Sequence, residues 1–152
     1  MRRVSRADGG PLLDPSRVDP PKPLAGVRLL IVEDNADCLN ALRFLLEYNG
    51  AEVVAAASVD QARLAFAQRR PHLVISDLSM PGEDGFSFLT SVRALPPALG
   101  CATPAVAFSA MSPTDAQARA CAVGFQAFLR KPGDVLLIVP TVVRLLPPTL
   151  TA

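Results

Sequence analysis

The chain has 152 residues, half of them hydrophobic and few aromatic, with a formal net charge of +1. That length suits one domain with a single sizeable core, and near-neutral charge gives no electrostatic basis for binding nucleic acid or a membrane surface. Cys38, Cys101 and Cys121 are odd in number and form no Cys-x-x-Cys pair, so neither a disulfide framework nor a zinc site is signalled, and buried thiols in a reducing cytosol are expected.

Residues 1–26 carry five of the fifteen prolines, with Arg2, Arg3, Arg6, Arg17 and Lys22 set against Asp8, Asp14 and Asp19. Such a segment buries little apolar surface, and a disordered, solvated tail is expected rather than a docking arm. Met1 to Gly10 lacks the apolar core of a signal peptide. The apolar stretch from Val135 to Leu146 is broken by Pro140 and Arg144 and is too short to span a bilayer. A soluble, cytoplasmic protein is expected.

From Val27 the pattern becomes regular. Val27 to Val32 reads as a strand ending in Glu33-Asp34. A helix follows with Leu39, Leu42 and Leu46 on one face and Gly50 as its stop. Glu52 to Ala56 is a second strand, and Ser58-Val59-Asp60-Gln61 has the capping-box form that opens a helix carrying Ala62, Ala65 and Phe66. Leu73-Val74-Ile75 reads as a strand buried on both faces, stopped at Ser76-Asp77 and followed by a loop that Met80-Pro81-Gly82 and Gly85 impose. Phe86 to Leu95 makes a third helix, ended by Pro96-Pro97. Ala105 to Phe108 is a fourth strand, ending at Ser109. Ser112-Pro113-Thr114-Asp115 opens a helix that Gly124 ends, Phe125 to Leu129 is the fifth strand, and a last helix starts near Asp134. Five strand–helix pairs joined by short connections form a parallel sheet with helices on both faces. Residues 27–146 are thus the folded domain and 147–152 a C-terminal tail.

In such a sheet the carboxyl ends of the strands share one edge, where open α/β sheets place ligands and chemistry. Glu33, Asp34, Asp77, Ser109 and Lys131 all fall there. Singly, each has a bland reading as a helix cap, a loop hydrogen bond or a solvated cation; jointly they define a site. Two carboxylates about 4 Å apart repel by roughly 4 kcal/mol at an effective dielectric near 20. A hard divalent ion relieves that repulsion, and carboxylates with a backbone carbonyl and water suit Mg²⁺ rather than zinc. A phosphoryl group fits between such an ion and the Lys131 ammonium, with Asp77 as nucleophile.

Glu33-Asp34, Asp77, Met80-Pro81-Gly82 with Gly85, Ser109-Ala110 and Lys131-Pro132 together resemble the response-regulator receiver domains of two-component signalling, over about Val27 to Leu146. The resemblance implies a flavodoxin-like (βα)5 fold, a doubly wound parallel five-stranded sheet of order 2-1-3-4-5. It implies that Asp77 is the phosphoacceptor in a phosphorelay, taking phosphate from the phosphohistidine of a histidine kinase or phosphotransfer protein. It implies that Glu33, Asp34, Asp77 and the Ser79 carbonyl hold Mg²⁺, Glu33 through water. Ser109 and Lys131 would bind phosphoryl oxygens, and Phe128 would be the switch aromatic, although core packing accounts for Phe128 almost as well. The readout surface would be the fourth helix, fifth strand and fifth helix, also the face for a homodimer or partner. Such a protein is no enzyme toward external substrates. It catalyses only its own phosphorylation and dephosphorylation, at a rate that Ser79 and Met111 would influence through water access.

The last helix departs from the family, because it is apolar nearly throughout and has Pro140 inside it. Either it kinks there or it starts afresh at Pro140, with Pro at the first helical position, and its apolar outer face is expected to meet another subunit or a partner domain. Two other functions compete. One is an interaction module that works unphosphorylated through that helix. The other is an Mg²⁺-dependent phosphohydrolase, which needs a second Asp two residues after the nucleophile, where Ser79 stands.

Overall fold

A computed structural model describes residues 22–151. Most of the expected tail lies outside them, but residues 22–26 do not behave as one: Leu24 is fully buried, and its N–H donates to the Asn49 carbonyl at 2.9 Å. The folded part of the chain therefore begins ahead of Val27.

The strands are β1 (Arg28–Val32), β2 (Glu52–Ala56), β3 (Leu73–Ser76), β4 (Ala105–Ser109) and β5 (Ala127–Arg130). They pair in parallel in the order β2-β1-β3-β4-β5. Between them lie α1 (Ala36–Tyr48), α2 (Val59–Arg69), α3 (Gly85–Arg93) and α4 (Pro113–Val123), and α5 (Ile138–Leu145) and a helical turn, α6 (Pro148–Thr151), follow β5. Two 3₁₀ turns, Pro97–Leu99 and Val135–Leu137, were not legible in the sequence. Alternation along β1 divides the core. Leu29 and Ile31 face α1 and α5, while Leu30 and Val32 face α2, α3 and α4. All of β3 and β4 is buried, as strands covered on both faces require.

Helix starts follow local chemistry. The Asn35 side chain accepts from the Cys38 N–H at 2.9 Å and the Asp84 side chain from the Ser87 N–H at 2.9 Å. Ser58 accepts from the Gln61 N–H, and the Gln61 side chain reaches back to the Ala57 N–H rather than to Ser58. Ser112 is the residue before α4 but makes no side-chain cap bond; Pro113 at the first helical position does the initiating.

The last helix does not run from Asp134; of the two outcomes expected at Pro140 it takes the fresh start, at Ile138 rather than at Pro140 itself. Residues 135–137 form the 3₁₀ turn, and α5 begins at Ile138, which makes Pro140 its third residue. The first four N–H groups of a helix have no intrahelical acceptor, so proline there removes no ladder bond. Ile138, Val142 and Leu146 are buried against the sheet. The exposed apolar residues lie in the turn ahead of the helix, with Leu136 82% and Leu137 50% exposed. The expected apolar outer face is thus confined to that turn. The C-terminal segment is also more than a tail, since Leu150 packs against the α1–α5 side of the core. Among the described residues no helix is long and apolar enough to cross a membrane.

Candidate functional site

Strand register builds the site. Val32 pairs with Ser76, so the next residues, Glu33 and Asp77, leave adjacent strands side by side. The Asp77 N–H donates to the Val32 carbonyl at 2.9 Å, and the Glu33 N–H to the Ala56 carbonyl at 2.9 Å. From β5, the Lys131 N–H donates to the Ser109 carbonyl at 2.9 Å, which brings its side chain over the same edge.

There Glu33, Asp34 and Asp77 each offer a carboxylate oxygen within 4.8 Å of the others. Glu33 and Asp77 are buried and Asp34 is exposed. Lys131 lies between the two buried carboxylates, hydrogen-bonded to Glu33 Oε1 and 3.1 Å from Asp77 Oδ2. Burial pulls the Lys131 pKa down, but its hydrogen bonds and proximity to Glu33 and Asp77 more than offset this and hold it above the ordinary lysine value. The other Asp77 oxygen, Oδ1, accepts from the Leu78 N–H at 2.7 Å, and Glu33 Oε2 accepts from the Asn35 N–H at 3.1 Å. Every buried acceptor is therefore satisfied, yet one ammonium faces three carboxylates. The surplus negative charge, the hard oxygen donors and the exposure of Asp34 on the solvent side fit a small divalent cation such as Mg²⁺.

The loop after β3 is shaped by two glycines for different reasons. Gly82 has φ +78° with open space around it, a turn position that an L side chain strains. Gly85 is a matter of proximity, because a Cβ there would lie 2.0 Å from the Asp77 carbonyl oxygen. Met80 packs against the core, while Pro81 is exposed.

Other expected site residues stand differently. The Ser109 hydroxyl is fully buried and accepts from the Met111 N–H at 3.1 Å. Ser79 is exposed, and its N–H points weakly at Asp77 Oδ1, 3.4 Å away. Phe128 is half-buried on β5 and packs on the α2–α4 side of the core.

Sequence reasoning missed the hollow beside Lys131. Cys38 and Ala41 of α1, Phe108 of β4, and Pro132 and Val135 enclose about 420 Å³ of mostly apolar space at the edge of the carboxylate cluster. Burial, together with the hydrogen bond and charge of Glu33, pushes the Cys38 thiol up to about 11, so it is a neutral wall residue. The signal was present only as helical spacing, since Cys38 and Ala41 share a face of α1.

A five-stranded doubly wound sheet, with an acidic cluster and a lysine at its carboxyl edge, defines a protein of the CheY-like signalling class. The family model described as response regulator receiver domain matches residues 29–142, and the chain belongs to that family. A chemotaxis protein CheY4 of Vibrio cholerae has a TM-score of 0.74 at 27% identity, over 80% of this chain and all of that one. An uncharacterized 14.6 kDa protein of Leptolyngbya boryana is 36% identical over 76% of this chain and 87% of its own length. The virulence sensor protein BvgS of Bordetella bronchiseptica is 32% identical over 77% of this chain, and the transcriptional regulatory protein KdpE of Escherichia coli is 34% identical over 68% of it. The chain spans only 10% of BvgS and 44% of KdpE. The strand order 2-1-3-4-5 expected from the sequence is the one observed.

Proposed function

We propose that this receiver takes a phosphoryl group from a phosphohistidine onto the Asp77 carboxylate. A bond forms between an Asp77 oxygen and phosphorus as the bond from phosphorus to the imidazole nitrogen breaks, and the imidazole leaves. The observation that carries the reading is the buried Asp77 carboxylate at the end of the central strand β3, held against Lys131 and beside two further carboxylates. Glu33, Asp34, Asp77 and the Ser79 carbonyl would hold Mg²⁺, which supplies positive charge against the incoming phosphoryl oxygens. Lys131 pairs with one of those oxygens. Ser109 gives up its contact with the Met111 N–H to donate to another.

The apolar hollow beside Lys131 suits the docking of a histidine kinase or phosphotransfer protein, because its imidazole must approach within bonding distance of Asp77. Phosphorylation adds charge and acceptor oxygens at Asp77, which favours the conformer in which Ser109 and Lys131 reach them. Phe128, half-buried on β5, turns inward as Ser109 moves, and the α4-β5-α5 surface changes. A second reading rests on Leu136 and Leu137, exposed in the turn before α5. There they could seat a partner domain or a second copy without phosphorylation.

Intact mass after incubation with Mg²⁺ and acetyl phosphate separates the two. Wild type gains one phosphoryl group and Asp77→Asn gains none. A folded, Mg²⁺-binding wild type that gains nothing refutes the phosphoacceptor reading and leaves the turn at Leu136 as the working surface.

A further inference from the structure

On the α2–α3 side, away from the carboxylate cluster, the packing leaves a second hollow. Phe66 and Phe88 meet edge to face, with centroids 6.4 Å apart, and with Val92, Leu95 and Leu99 they form an apolar floor. Arg63 and Arg70 stand at its rim with Ser91. The space is about 210 Å³. A dry cavity of about 150 Å³ is enough for a benzene ring, so this one has room for a ring and a small substituent. Receiver chemistry at Asp77 uses none of these residues.

The two guanidinium groups differ. Arg63 is committed: it forks onto both Glu83 oxygens, at 2.6 and 2.7 Å, and its Nε points at Ser91 Oγ, 3.4 Å away. Arg70 spends only Nη1, on the Ala98 carbonyl at 2.9 Å, among the described residues. Its backbone is also unusual, because Arg70 closes α2 in the left-handed region at φ 47°, where glycine is the ordinary occupant. It is the one non-glycine with positive φ among the described residues. Such outliers persist where the surroundings over-determine them, and they concentrate at binding sites. Here the Arg28 side chain donates to the carbonyls of Arg69 and Arg70, at 3.0 and 2.9 Å, which holds the backbone of this turn.

An apolar, aromatic floor with one under-used planar cation at its mouth matches one ligand chemistry, a flat ring bearing a carboxylate. The ring enters the floor, and the carboxylate takes the remaining parallel N–H donors of Arg70. We propose that the α2–α3 hollow binds a small aromatic carboxylate through Arg70.

Benzoate is the probe and benzamide its neutral isostere, titrated into the ¹⁵N-labelled full chain. Saturable shifts confined to Phe66, Phe88, Ser91 and Leu99 are expected, with Kd on the order of 1 mM for so small a ligand. Arg70→Gln weakens benzoate about 10-fold, the scale of a lost charge-assisted bond, and leaves benzamide unchanged. Ala67→Trp, at an exposed position on the rim, blocks both ligands without touching the core. Shifts scattered over the surface, equal binding of benzoate and benzamide, or benzoate binding indifferent to Arg70→Gln each overturns the proposal.

Discussion

Among the described residues Lys131 is the only cation held between Glu33 and Asp77, and replacing it with methionine keeps the volume while deleting the charge. At 3.1 Å the attraction to Asp77 alone is gross about 5 kcal/mol at an effective dielectric near 20. Both carboxylates are already desolvated, so removing the partner leaves uncompensated buried charge, and breaking such a pair costs about 3–5 kcal/mol. Lys131→Met should therefore unfold in urea with a stability lower by about 3 kcal/mol at pH 7 in EDTA. A divalent ion can take over the missing charge, so Mg²⁺ should stabilise the variant more than wild type. The pH dependence has a definite sign. The folded-state pKa of Lys131 is raised, so its contribution is fully present below the unfolded value near 10.5 and is lost as pH rises through the folded value. Wild type should lose stability in that alkaline window and Lys131→Met should not. A loss under about 1 kcal/mol, or equal stabilisation of both proteins by Mg²⁺, would refute the account of the cluster as surplus buried charge.

Gly85→Ala distinguishes helix propensity from close approach. Propensity alone favours alanine by about 1 kcal/mol, whereas a Cβ placed 2.0 Å from the Asp77 carbonyl forces backbone apart and should cost about 3 kcal/mol in the same urea assay. Arg93 donates to the carbonyls of Cys101, Thr103 and Gly124 at 2.7–2.8 Å, so Arg93→Met strands three acceptors and should destabilise by about 3 kcal/mol, with amide exchange rising first at residues 101–103. His72 is the only histidine, and its Nδ1 accepts from the Arg28 N–H at 2.9 Å. Burial first, then the Arg28 charge, holds its pKa below 6.5, so its stabilising effect is complete above 6.5 and lost as pH falls through the folded value. The imidazole proton resonances should titrate below pH 6.5, and His72→Gln should flatten the acid limb of the stability curve.

The fold was legible because its signals are local. Ser58 with Gln61, Gly124 after α4 at φ +111°, and the unbroken apolar run of β3 each declare an element within a few residues. Glu33, Asp77 and Lys131 were legible for a different reason. A parallel sheet sends every strand's carboxyl end to one edge, so sequence position translates into spatial proximity without any knowledge of side-chain packing.

What escaped depends on contacts that no periodicity encodes. The sequence marked Gly85 as a loop glycine, but the loop needs only Gly82 for its positive φ; Gly85 is required because α3 begins against the Asp77 carbonyl. Nothing around Arg93 announces that it will reach Gly124, 31 residues away, and join the start of β4 to the end of α4. Pro140 left two outcomes open. Read against an apolar run starting near Asp134, it implies either a kink or a fresh start at Pro140, with an unpartnered apolar face; the fresh start is observed, at Ile138. Leu24 and Leu129 help close the core on the α1–α5 side, and the chain leaves β5 through a 3₁₀ turn that delays the helix to Ile138. The proline then falls where a helix has no bond to lose. The apolar residues that would have covered a longer helix divide between the core, at Ile138 and Val142, and an exposed turn, at Leu136 and Leu137. Burying the first pair fixes where α5 starts. Exposing the second leaves a small apolar knob at the end of the segment that leads from Lys131.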